Sequence, residues 1–319
     1  MKLGLFTVLF PTVELEQLLP QIKKAGVDAV EIGTGNYPGD AHCPLDELLA
    51  APTRCKEYKS LFRSHGVDLS CLSCHGNPLH PDRELRKWFR ETQRKTIRLA
   101  EKLGVKKIVT FSGCPGDGKG GTFPNWVTCP WPEDYTELLQ WQWENEVLPF
   151  WSKEVEFARE HGLKKLAIEM HPGFVVYNPR TLIKLRKAVG PVIGANLDPS
   201  HMFWQGIDPI VAVQCLGRAV FHVHAKDTKM NEQNIARHGV LDTQPYGREM
   251  ERSWTFRTVG WGHGVEFWTD FLSALRLVGY DDVISIEHED SLMSPAEGFQ
   301  KAVAFLNQLL LRDKPNAAR

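Results

Sequence analysis

Short runs dense in β-branched and apolar residues alternate along the chain with longer stretches of helical period. The runs are KLGLFTV (2–8), DAVEI (28–32), DLSCLSC (68–74), KKIVTF (106–111), KLAIEM (165–170), VIGANL (192–197), AVFHVHA (219–225) and DVISIEH (282–288). Between them lie amphipathic segments that predict helices, among them 13–26, 83–104, 135–162 and 295–310. Several of these close on a glycine, at Gly26, Gly66, Gly104, Gly162 and Gly279, and the next apolar run begins at once. Glycine just past the last periodic residue suits a left-handed helix cap. Strands alternating with helices at this spacing predict βαβ units and a parallel sheet. Eight such units make an α/β fold, a (β/α)8 barrel of the TIM type.

The 319 residues are 42% hydrophobic, enough to bury one large core, so a single domain over 1–311 is expected, with a polar tail at 312–319. Two connections exceed the usual few residues: about 112–133, rich in Gly, Pro and Trp, and about 226–264, which holds Arg257 and Trp254. Both follow strands, and loops after strands form the face on which barrel enzymes keep their active sites.

At the ends of the last four strands stand Glu169 (AIEMHPG), Asp198 (ANLDPSH), His224 (HVHAKD) and Glu287 (SIEHED). One carboxylate at a strand end is usually a capping or surface group. Four acid or imidazole groups on consecutive strands of one barrel point toward a common centre. Three carboxylates and one imidazole suit one divalent metal ion: Mn²⁺ first, with Mg²⁺, Co²⁺, Zn²⁺ or Fe²⁺ as alternatives. An octahedral ion held this way keeps two adjacent positions for the oxygens of a hydroxy-ketone. Such a cation acidifies the intervening C–H by stabilising the enediolate, and a nearby carboxylate takes the proton.

Charge and composition narrow the partners. With 38 Lys+Arg against 39 Asp+Glu, the formal net charge is −1, so no broad positive field is present to hold nucleic acid. No apolar run reaches the ~20 residues needed to span a bilayer, and the N-terminal apolar stretch is short for a secretion signal, so no membrane association and a cytoplasmic location are expected. The seven cysteines are odd in number and scattered, which predicts reduced thiols; Cys71 and Cys74 form a C-x-x-C inside an expected strand and read as buried.

The strand-end motifs, in this order, resemble those of the xylose-isomerase-like TIM-barrel superfamily, also called the sugar phosphate isomerase/epimerase family, over nearly the whole chain. The resemblance implies that Glu169, Asp198, His224 and Glu287 are metal ligands and that Glu169 and Glu287 also shuttle protons. It implies that His201, in DPSH, touches a substrate hydroxyl and that Arg257, in FRTVGWGHG, lies near the metal. His75 and His171 follow strands and are further candidate substrate contacts. His224 rather than His222 takes the ligand position because it precedes x-Lys-Asp, and Lys226 and Asp227 are candidates for orienting it. Trp126, Trp131, Trp254 and Trp261 either roof a sugar pocket or pin the loops.

The activity expected is isomerisation or epimerisation of a non-phosphorylated keto-sugar, keto-glycoside or inosose. The same site serves an alternative lyase or dehydratase chemistry, as in keto-cyclitol dehydratases and C-glycoside deglycosidase subunits. An endonuclease IV-like role fits less well, because Phe111, Ser112 and Gly113 occupy the place of a required histidine. A sugar-binding barrel without turnover is a further alternative. The substrate is a small-molecule sugar or cyclitol, and a homo-oligomer is possible.

Overall fold

The computed structural model describes residues 1–118 and 120–314. Eight parallel strands close into a barrel: β1 (Lys2–Phe6), β2 (Ala29–Gly33), β3 (Asp68–Ser73), β4 (Lys107–Phe111), β5 (Lys165–Glu169), β6 (Ile193–Leu197), β7 (Val220–Ala225) and β10 (Val283–Ile286). The first and last close the ring in register, Leu3 beside Ile284 and Leu5 beside Ile286. Each of the eight apolar runs of the sequence overlaps one of these strands, and only β2 runs past its run, by Gly33. KLGLFTV is strand only to Phe6, after which Thr7–Leu9 turns into a short 3-10 helix.

Helices α1 (Leu15–Ala25), α4 (Arg83–Leu103) and α12 (Pro295–Leu309) lie where the periodicity predicts them. The five terminal glycines have φ between 63° and 99°, the left-handed region in which a side chain is disfavoured. At its start α4 is capped by Asp82, whose carboxylate accepts from the amides of Glu84 and Leu85 at 2.9 Å.

By its internal contacts the chain divides into two compact units, one of residues 1–31, 63–68 and 197–319, the other of residues 32–62 and 69–196. In the first, Leu3, Leu5, Val223, Ala225, Ile284, Trp268 and Phe271 are buried. In the second, Leu72, Ile108, Leu166, Ile168 and Trp151 are buried.

Of the two long connections, one departs from the expectation. Residues 226–264 are not a bare loop: they fold into β8 (Asp227–Met230), α10 (Glu232–His238) and β9 (Trp254–Arg257), with β8 and β9 antiparallel. Apolar burial explains why. Trp254 stacks on Trp204 at 4.8 Å between centroids, and with Phe256 they make a separate small core. Asp227 closes the hairpin's return, accepting from the amides of Thr228, Gly260, Gly262 and His263, from His263 Nδ1 at 2.7 Å and from Trp268 Nε1 at 3.2 Å. Gly262 is required there, because a Cβ would lie 2.3 Å from the Thr228 carbonyl oxygen.

Residues 112–118 and 120–132 hold neither helix nor strand. The stretch expected as one helix from 135 to 162 is α5 (Glu133–Trp141), a π-helical turn (Gln142–Val147) and α6 (Leu148–Glu160). The π turn carries buried Gln142, whose Nε2 reaches the carbonyls of Pro115, Gly116 and Asn125. Such bulges inside helices often mark functional neighbourhoods. No helix among the described residues is long and apolar enough to cross a membrane.

Candidate functional site

In the first unit the ends of β7 and β10 meet the turn that begins at Asp198. Asp198, His224 and Glu287 each offer one ligand atom there, and these atoms lie within 4.8 Å of one another. Asp198 and His224 are buried and Glu287 is half-buried. The backbone sets Asp198: its Oδ1 accepts from the amide of Ser200 at 2.9 Å, a local turn that begins the short helix α8 (Ser200–Phe203). His201, carried on that helix, brings Nε2 to 3.3 Å from Asp198 Oδ2 and sets its ring edge-on to Phe256.

His224 is held on both sides of its ring. Nδ1 lies 2.9 Å from Glu287 Oε2, while Nε2 lies 3.1 and 3.2 Å from the two oxygens of Glu31. The ring also stacks on Phe6 at 5.7 Å. Glu31, fully buried on β2, takes a second imidazole, His222 Nε2, at 2.7 Å and the Ser285 hydroxyl at 2.9 Å. Burial by itself would push the Glu31 carboxyl upward; His224 and His222, by charge and by hydrogen bonding, outweigh it and hold the carboxyl well below its ordinary value.

Lys226 extends the site. Its ammonium is 3.8 Å from Asp198, 3.7 Å from Glu287 and 2.5 Å from Glu289, and it lies over the Phe256 ring at 4.2 Å. Glu289 is exposed, while the Lys226 stem is buried. Arg257 is turned to another acid, with Nε 3.0 Å from Asp290 Oδ2.

In the second unit Glu169 ends β5, paired in register with Asn196 of β6. Its Oε2 accepts from Asn196 Nδ2 at 2.8 Å and lies 2.9 Å from His75 Nε2. His75 stands edge-on to Phe111 at 4.6 Å, and Phe111 stacks on Phe174 at 4.3 Å. His171, half-buried, bonds the Pro172 carbonyl through Nδ1 and lies 4.9 Å from Phe111.

One sequence reading is corrected by this geometry. The carboxylate behind His224 is Glu31 and not Asp227, which is spent on the hairpin. The one acid within the strand AVEIG was the available signal. Trp254 is a packing residue, Trp126 packs edge-on to Tyr177 at 5.4 Å, and Trp131 and Trp261 are exposed. The C-x-x-C reading stands: Cys71 and Cys74 are buried and form no disulfide, and burial pushes the Cys74 thiol up to about 12.

Comparison with known proteins agrees with this architecture. A Bacillus subtilis (strain 168) protein described as uncharacterized protein YfiH is 39% identical over 312 residues, spanning 97% of this chain and 99% of its own. Among solved structures, the chain resembles the probable 3-DHS dehydratase AsbF from Bacillus anthracis, with TM-score 0.66 and 15% identity over 96% of this chain and 99% of the other. It also resembles the IOLI protein with a binding zinc atom, with TM-score 0.63 and 20% identity over 97% and 98%. A D-tagatose 3-epimerase-like protein gives TM-score 0.62 and 21% identity over 97% and 98%. At these identities the solved structures establish the fold. Residues 19–309 match the family described as xylose isomerase-like TIM barrel, and it is to this family that the chain belongs.

Proposed function

We propose that this protein is a divalent-metal-dependent isomerase or epimerase of a keto-sugar, keto-glycoside or inosose, with Glu169, Asp198, His224 and Glu287 as metal ligands. The observation that carries the reading is the gathering of Asp198, His224 and Glu287 donor atoms within 4.8 Å at the ends of three barrel strands. Donor chemistry fits such an ion: His224 turns Nδ1 toward Glu287 while Nε2 is already engaged by Glu31, so Nδ1 and the neighbouring carboxylates would hold a divalent cation. Glu169 is the fourth ligand in the reading because it ends the neighbouring strand beside Asn196, two residues before Asp198. Membership of a family whose solved relatives include epimerase-like and zinc-binding proteins supports it.

When bound, a divalent cation stabilises negative charge developing on the oxygens of a hydroxy-ketone. The protein's own groups move the proton. Glu169 takes it from the carbon beside the carbonyl, and Glu287 returns one from the other side. His75 and Asn196 both bond Oε2 of Glu169 and so fix the direction in which that carboxylate faces. His201, His75 and His171 serve as contacts for substrate hydroxyls. The two terminal guanidinium nitrogens of Arg257 serve the same purpose while its Nε stays on Asp290.

The test is NMR in D₂O with free ketoses, 3-keto-glycosides and inososes, on metal-loaded, metal-stripped and Glu287→Gln protein. The reading expects deuterium at the carbon next to the carbonyl with loaded wild type. Exchange should fall by ~10²–10⁴ in the variant, the usual worth of a positioned proton-transfer group. Unchanged exchange after metal removal would refute it, and a dehydrated product would replace epimerisation with elimination.

A further inference from the structure

The Glu31 cluster shares His224 with the proposed ligands, while Glu31 and His222 are not among them. Glu31, His222 and His224 are completely buried, and their donor atoms also lie within 4.8 Å of one another. Two readings are open to such a set: a second metal site, or a hydrogen-bonded support. Donors and acceptors favour the support. The carboxylate accepts from the Ser285 hydroxyl at 2.9 Å and lies against His222 Nε2 at 2.7 Å and His224 Nε2 at 3.1 Å. Ser285 lies directly across from His224 in the β7–β10 ladder, so its hydroxyl is delivered to Glu31 by strand register. Glu31 itself pairs with Phe6, the residue whose ring stacks on His224.

An imidazole has two nitrogens, and the hydrogen bond at one fixes what the other can do. An ionised Glu31 can only accept, so the nitrogen that faces it must carry hydrogen. For His224 that nitrogen is Nε2, which leaves Nδ1 as the electron-pair donor on the side of Glu287.

We infer that Glu31 is a positioning residue for the metal centre, locking His224 in the Nε2–H tautomer so that a bare Nδ1 is presented beside Asp198 and Glu287. The inference rests on the proposed ligand set and adds to it the residue that orients its one imidazole. His222 and Ser285 complete the acceptor's shell and keep Glu31 from turning away. Replacing the carboxylate by an amide of the same shape breaks the lock, because the amide can turn its NH₂ toward Nε2 and so favour the tautomer with hydrogen on Nδ1. Loss of such outer partners costs metal affinity about 10- to 100-fold.

The experiment uses the full chain with ¹⁵N-labelled histidine. Two-bond ¹H–¹⁵N correlations of the Zn²⁺-loaded wild type should show His224 with Nδ1 bound to zinc and hydrogen on Nε2. Calorimetric titration with Zn²⁺ alone should give one equivalent per chain for both wild type and Glu31→Gln, with affinity about 10- to 100-fold weaker in the variant. Zinc bound through Nε2 of His224 overturns the inference in the wild type itself, whatever the variant does. An unchanged affinity in Glu31→Gln also overturns it, as does a second equivalent that Glu31→Gln removes, since Glu31 would then be a ligand. A wild type that takes up no Zn²⁺, or an Asp198→Ala variant that takes it up equally well, instead brings down the ligand set on which the inference stands.

Discussion

His224 turns one ring nitrogen toward Glu31 and the other toward Glu287, and the two carboxylates keep different company. Around Glu31 the charges and hydrogen bonds are answered: two imidazoles and a hydroxyl converge on one fully buried carboxylate. Around Glu287 the side chains of one sign accumulate. Asp198, Glu287 and Glu289 gather at a single ammonium, that of Lys226. A buried carboxylate with its donors in place holds a structure together, and removing it leaves the donors stranded. Crowded carboxylates instead raise the energy of the folded state unless a cation joins them. The same histidine thus belongs to a buried hydrogen-bonded group and to the proposed metal-binding group.

Substitutions on the two sides should therefore separate stability from metal affinity. Glu31→Ala should have the largest effect on folding, a loss of about 3–5 kcal/mol in urea unfolding, as when one member of a buried charged network is removed. A loss under about 1 kcal/mol would mean that the inner group is not holding the barrel. Ser285→Ala removes one hydrogen bond to the same carboxylate and should cost about 1.5–3 kcal/mol. On the other side, Asp198→Asn should leave urea stability within about 1 kcal/mol of wild type, or raise it, while metal affinity collapses. A large fall in stability without bound metal would erase the contrast. Glu289→Gln, on the exposed end of the Lys226 pair, should change stability by less than about 1 kcal/mol and leave one metal equivalent in place.

The sequence made the barrel legible because its strands are short, apolar and separated by helices that end on glycine. Gly26 and Gly104 mark both a helix end and the start of the next strand within a few residues, a signal that survives without any tertiary information. The hairpin at 227–257 was hidden for the opposite reason. Its strands are four residues each, and what stabilises them is Trp254 against Trp204, a contact between segments fifty residues apart. Asp198, His224 and Glu287 were legible as strand-end groups, and the structure brings these three together. Glu31 was not, since an acid in the middle of a buried strand has meaning only once the imidazoles across the barrel interior are known. Asp227 was misread through its nearness to His224 in sequence. Alternation along the strand and the turn that follows carry its side chain to Gly260, Gly262 and His263 instead.

The most direct test of the account is the metal content of the purified protein, measured by inductively coupled plasma mass spectrometry after equilibration with Mn²⁺ and removal of free ion. The account predicts one equivalent per chain in wild type, and close to none in Asp198→Asn at the same free-metal concentration. A wild type that retains no metal, or an Asp198→Asn protein that retains as much as wild type, would contradict it.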